Sequence, residues 1–214
     1  MSNLKQTSKE TSIKRSFNIS DFKVSGSEKE DDFNIEGHAA VFGQRTSIGN
    51  YFYEVIERGA FDECDFSDVS LFINHDMNMI PLARSKEFND NSTMKLQVDE
   101  KGLYIRAKLD IENNLDSKTL YSSIKRGDID GMSFAFIISD ESWENLDLDM
   151  PLRRIKKISK VFEVSAVNSP AYTSTDISAR DKEALDKERI RLSKRCDNEL
   201  DLVKLQYEFL RRNF

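Results

Sequence analysis

Apolar and polar side chains take turns from Phe33 to Val41, where Phe33, Ile35, Gly37, Ala39 and Val41 alternate with Asn34, Glu36, His38 and Ala40. A period of two predicts a half-buried strand, and Gly43 closes it. Similar short stretches recur, each bounded by turn residues. An earlier strand is expected over Arg15–Val24, ending at Ser25-Gly26-Ser27. The polar run Glu28–Asp32 reads as a loop. Further strands are expected at Tyr51–Ile56 and Val69–Ile73, with a short helix or loop between them at Arg58-Gly59-Ala60-Phe61. After a link containing Pro81, Met94–Val98 and Leu103–Leu109 flank Asp99-Glu100-Lys101-Gly102, a hairpin-length loop whose glycine suits positive φ. Gly131-Met132-Ser133-Phe134-Ala135-Phe136 begins an apolar strand directly after the turn residues Gly127, Asp128 and Asp130. An acidic, irregular loop (Asp140–Met150) with the only tryptophan, Trp143, precedes two last strands at Leu152–Ile158 and Val161–Val167.

Two stretches show the helical period instead. Asn113–Arg126 places Leu120 and Ile124 on one face and stops at Gly127. From Ala179 to Arg212 there is no glycine or proline. Leu185, Leu192, Cys196, Leu200, Val203, Tyr207 and Leu210 recur there at steps of three, four or seven, the pattern of a long amphipathic helix. Such a helix either folds back on the body or forms a partner-binding or coiled-coil arm. Eight short strands with mostly short links favour a largely antiparallel, closed or nearly closed sheet over βαβ units. The expected organisation is a disordered lead at 1–14, a small β-barrel domain at 15–178 and a charged helix at 179–214.

With 38% hydrophobic and 33% charged residues, the composition is that of a soluble protein with a wet periphery. No run approaches the roughly 18 apolar residues of a membrane span, and the polar N-terminus lacks a secretory h-region. A net charge of −6 argues against a general nucleic-acid binder. Cys64 and Cys196 lie far apart and fit a reduced compartment better than a disulfide framework.

Candidate chemistry centres on Ser133. A serine at a strand start commonly satisfies a turn; as a nucleophile it needs a base and an orienting group. The sequence contains two histidines. His75, in Asn74-His75-Asp76 at the end of an apolar strand, is held as a general base requires. His38, opposite Ile35 and Val41 in its strand, is expected to face solvent in a structural role. For the orienting acid, Glu163 is an acid inside an apolar strand, sharing a face with Ser165 and Val167, and so calls for a partner. Asp76, Asp128 and Asp130 are alternatives. The oxyanion donors are expected to be backbone N–H groups, aided by Arg153 or Arg154. Neither a metal nor another cofactor is implied, because the ligand spacing is wrong. A cysteine hydrolase built on Cys64 is disfavoured, since Asp62-Glu63-Cys64-Asp65 would raise the thiol pKa.

Gly37-His38-Ala39-Ala40-Val41-Phe42, Glu54-Val55-Ile56 with Gly59-Ala60-Phe61, Asn74-His75-Asp76, Gly102-Leu103, Gly131–Phe136 and Glu163–Ala171 occur in that order. Together they resemble the prohead (procapsid) maturation proteases of tailed phages, relatives of the herpesvirus assemblin serine proteases, over about residues 15–175. The resemblance implies an assemblin-like β-barrel ringed by helices. It implies a serine endopeptidase inside the viral procapsid, in the host cytoplasm, that trims scaffold or a scaffold-like segment of the major capsid protein. Ser133 becomes the nucleophile, His75 the base and Glu163 the third member. A homo-oligomer, such as a dimer, fits the relation, with no nucleic-acid or membrane partner. The terminal helix is expected to bind scaffold or shell and to be self-cleaved. The rival reading is a non-catalytic assembly or scaffold protein using the same barrel.

Overall fold

The longest apolar stretches of the sequence form its longest strands. The computed structural model describes residues 13–18, 21–24, 34–87, 89–168, 181–195, 199–200 and 202–203. In chain order these form β1 (Ile13–Asn18), β2 (Lys23–Val24), β3 (Ile35–Val41), β4 (Thr46–Ile48), β5 (Phe52–Ile56), β6 (Asp68–Ile73), β7 (Ala83–Lys86), β8 (Met94–Val98), β9 (Gly102–Ala107), α1 (Leu115–Arg126), β10 (Gly131–Glu144) and β11 (Leu152–Val167). A second helix, α2, covers 181–195.

The strands make two sheets and no closed barrel among the described residues. One sheet runs β1-β10-β11-β5-β4, with β6 also on β11 and β7 on β6; the other runs β2-β3-β9-β8. The physical reason lies in β11, which takes two parallel partners. Residues Leu152–Ile155 pair with β5, and Glu163–Ala166 pair with β6. The large sheet therefore forks at β11, while β3 and β9 pair within a sheet of their own. The core lies between, filled by Met132, Phe134 and Phe136 of β10, Val164 and Ala166 of β11, Leu71 of β6, Ile35 of β3, and Leu103 and Ile105 of β9. The rings of Phe134 and Phe136 stack at 4.3 Å, and truncating one such ring costs about 3–5 kcal/mol.

The region expected to hold a single first strand holds β1 and β2, which belong to different sheets. The expected acidic loop is strand as far as Glu144, and the two expected last strands are one. Register shifts along β10 and β11, from Ala135/Phe136 onward, absorb the irregular pattern as bulges and curl the sheet.

Helix α1 starts and stops where its caps require. The Asn114 side chain accepts from Asp116 N (2.9 Å) and Ser117 N (3.1 Å). Gly127 adopts the left-handed conformation at φ 79°. Gly102 has a different role from the positive φ expected of it. A Cβ there would sit 1.9 Å from the Ala40 carbonyl oxygen, so glycine allows the close approach of β3 and β9. In α2 only the first turns are packed, through buried Asp181 and Leu185, whereas Leu192 is exposed, as are Leu200 and Val203 beyond it. Cys196, Tyr207 and Leu210 of the expected stripe, and residues 1–12 of the expected lead, lie outside the described residues.

Candidate active site

Three strands of the large sheet bring the site together. In the β10–β11 ladder Ser133 stands opposite Ser165, and Ala135 opposite Glu163. Successive side chains alternate faces, so Ser133, Ser165 and Glu163 share the face turned away from Phe134 and Val164. Strand β6 runs parallel to β11, with Ile73 beside Ala166. At its end the chain turns sharply through two left-handed residues, Asn74 (φ 49°) and His75 (φ 61°). Asparagine tolerates that region, but for other L-residues it costs roughly 1–2 kcal/mol each. The turn is held from β11: Asn74 N donates to Ala166 O (2.9 Å), and Asn168 N donates to Asn74 Oδ1 (3.2 Å). It carries the imidazole back over the sheet face.

The result is a continuous relay. His75 Nδ1 lies 2.5 Å from Glu163 Oε1, and His75 Nε2 lies 2.6 Å from Ser133 Oγ. Glu163 is fully buried. A buried carboxylate is tolerable only when both oxygens have partners. Here the second oxygen accepts from Ser165 Oγ at 2.5 Å, and Ser165 Oγ accepts from His75 N at 3.3 Å. Ser165 thus grips both the Glu163 carboxylate and the backbone that carries the His75 ring. From the sequence, Ser165 shares a face with Glu163 and falls in the Glu163–Ala171 motif, but carries no role. The available signal was a hydroxyl two residues from a buried acid on one strand. Ser133 Oγ also lies within donor reach of the Arg15 carbonyl oxygen on β1, at 2.8 Å.

The structure therefore brings Ser133, His75 and Glu163 together and leaves the alternative acids elsewhere. Asp76 accepts from Asn78 N on the surface, and exposed Asp128 pairs with Arg126. Asp130 is exposed. Arg153 and Arg154 do not present free guanidinium groups to an oxyanion. Arg153 is buried against Glu54 and Glu141, and Arg154 pairs with Glu144 and Glu57.

His38 does not face solvent as expected; it is only 6% exposed. A register shift between His38 and Ala40 interrupts the simple alternation. Carboxylates close over both ring nitrogens, Asp21 at Nδ1 (2.7 Å) and Asp99 at Nε2 (2.9 Å). The disfavour for Cys64 holds: burial, and then the charge of Asp65, push its thiol up to about 12. Among the described residues no group of three or more His, Cys, Asp and Glu side chains could hold a metal ion. No described helix is long and apolar enough to cross a membrane.

Comparison with curated proteins and with solved structures returns no match. The model of one family, the caudovirus prohead serine proteases, matches residues 20–188. That span is most of the chain and contains Ser133, His75 and Glu163. The chain belongs to the caudovirus prohead serine protease family, whose role is proteolysis in phage head maturation.

Proposed function

We propose that the protein is a serine endopeptidase of the procapsid interior that cleaves scaffold, or a scaffold-like segment of the major capsid protein. The observation that carries this reading is the unbroken relay from Glu163 through His75 to Ser133, at 2.5 and 2.6 Å. Its geometry suits acyl transfer. Ser133 Oγ forms a bond to the scissile carbonyl carbon as His75 Nε2 takes its proton. The C–N bond then breaks, and His75 returns the proton to the departing amine. Water, deprotonated by the same nitrogen, hydrolyses the ester and frees Ser133. Glu163 keeps Nδ1 protonated throughout, so Nε2 presents a lone pair to the hydroxyl, and it stabilises the imidazolium that forms. Ser165 positions Glu163 and the His75 backbone.

Co-expression with the capsid and scaffold proteins tests the reading. Wild type is expected to yield shortened subunits, and Ser133→Ala full-length ones, from an equally folded enzyme. Full-length subunits with both proteins would instead favour the non-catalytic assembly role.

A further inference from the structure

Ser133 is catalytically arranged yet has no exposed surface. A scissile carbonyl has to touch Oγ, so something must leave before a substrate can enter. The neighbouring strand whose backbone touches Oγ is β1. This strand pairs antiparallel with β10 over six residues, with Ser16 opposite Ser133 and Arg15 opposite Phe134. Its Arg15 carbonyl oxygen, 2.8 Å from Oγ, competes with His75 for the hydroxyl proton.

Three features set β1 apart from the rest of the sheet. Among the described strands it is the terminal one of the sheet, so it can leave without breaking any other described strand pair. It lies before residue 20, outside the segment matched by the family model. Among its described side chains, Arg15 makes buried ion pairs to two other elements. Arg15 donates from Nε and Nη2 to Glu54 (2.5 and 3.0 Å) and from Nη2 and Nη1 to Asp181 of α2 (2.8 and 3.3 Å). All three residues are at least nine-tenths buried. Take β1 away and β10 offers a row of unpaired backbone groups, the template for an added peptide strand. Beside it remains a pocket with excess negative charge, since Glu54 and Glu141 then share Arg153 while Asp181 has lost the Arg15 guanidinium. Buried carboxylates left without a partner are costly. An incoming strand is therefore favoured when it brings a guanidinium, whose fork matches two carboxylates better than an ammonium does.

We propose that the free edge of β10 is the substrate-binding strand of this enzyme, and that β1 closes it as an internal pseudosubstrate whose Arg15 fills a pocket that accepts an arginine of the peptide substrate. The proposal rests on Ser133 being the nucleophile. Extended peptides enter as β1 leaves, pairing with β10 and seating a basic side chain between Glu54 and Asp181. Because Asp181 lies in α2, loss of that helix loosens β1 and opens the site.

The test uses the full chain and a fluorophosphonate probe, with labelling mapped to its residue by mass spectrometry. Wild type is expected to label slowly at Ser133, limited by the small fraction of molecules with β1 displaced. Arg15→Ala should label at least about tenfold faster. A synthetic peptide of residues 11–20 (TSIKRSFNIS) should slow that variant back toward wild type. The same peptide with alanine for its arginine should not. If Arg15→Ala fails to fold, hydrogen exchange on wild type decides: residues 13–18 should exchange ahead of β10 and β11, and the decapeptide with its arginine should compete with labelling. Labelling that needs His75 but ignores both Arg15 and the peptide overturns the proposal while leaving the triad standing. No labelling of Ser133 in any variant brings down the triad and the proposal together.

Discussion

The two histidines of this protein are each bonded through both ring nitrogens, yet the partners differ, and with them the chemistry each ring can do. Asp21 and Asp99 meet the ring of His38. Glu163 and the Ser133 hydroxyl meet the ring of His75. A carboxylate accepts, so each of the two competes for a ring N–H and neither offers His38 a proton to take. A hydroxyl can donate, so in the proposed mechanism Nε2 of His75 keeps its lone pair while Glu163 fixes the hydrogen on Nδ1. The backbone differs as well. His38 sits within β3, whereas His75 is aimed by two consecutive left-handed residues. The identity of the second partner, more than the imidazole, separates a base from a clasp.

Removing the hydroxyl breaks this comparison most severely. Ser133→Ala, or His75→Ala, is expected to lower the cleavage rate by about 10⁴-fold or more. Timed mass spectrometry of capsid and scaffold fragments measures the loss, and circular dichroism checks the fold. Glu163→Gln comes next. The amide fills the same space, but no longer fixes the tautomer or stabilises the imidazolium, so a loss of about 10²–10⁴-fold is expected. The low-field proton resonance of His75 Nδ1 should vanish in the same variant. If Glu163→Gln keeps full activity, Glu163 is only a buried acid with good partners, and His75 loses its distinction from His38.

The residues of the candidate site were legible because each conflicts with its surroundings: a hydroxyl opening an apolar strand, an imidazole at the exit of one, an acid inside another. The conflict at Glu163 has its resolution in His75 and Ser165, as the energetics of a buried charge require. The two sheets were not legible in the same way. Counting period-two segments says how many strands exist, whereas closure depends on which strands meet at long range, and β11 meets both β5 and β6. Thr46–Ile48 and Ala83–Lys86 are too short to show a period, so β4 and β7 escaped. For His38 the alternation placed the ring on the correct strand but missed its cover. That cover comes from Asp21 and Asp99, distant residues that a pattern local to β3 does not report.

A finer prediction separates positioning from chemistry. Ser165→Ala should lower kcat about ten- to hundredfold at nearly constant KM, because the loss of one buried donor loosens Glu163 and the His75 backbone without touching substrate. Ser165→Thr, which keeps the hydroxyl, should recover part of it. A rise in KM with kcat unchanged would mean that Ser165 contacts substrate instead. Steady-state kinetics on a scaffold-derived peptide distinguishes the two.

The smallest kinetic effect belongs to the other histidine. His38→Gln is expected to leave kcat and KM within about twofold of wild type while lowering stability by roughly 1–3 kcal/mol, the cost of disturbing a buried hydrogen-bonded group. Its signature lies in acid. Burial works against the charge of Asp21, yet hydrogen bonds from Lys101 and His38 outweigh it and hold the carboxyl below the usual range. Burial likewise works against Asp99, and the Gly102 N–H and His38 outweigh it. A carboxyl depressed in the folded state contributes stability that is fully present above its unfolded pKa, near 3.9, and lost as pH falls through the folded value. Wild type should therefore lose stability steadily below about pH 4 through this cluster. His38→Gln removes one source of the depression and should lose less over the same interval. Urea midpoints at pH 7 and pH 3 for both proteins measure the difference. Equal acid slopes would show that His38 does not clasp Asp21 and Asp99 in solution, and a large fall in kcat would give the second histidine a share in the chemistry that its two carboxylates otherwise deny it.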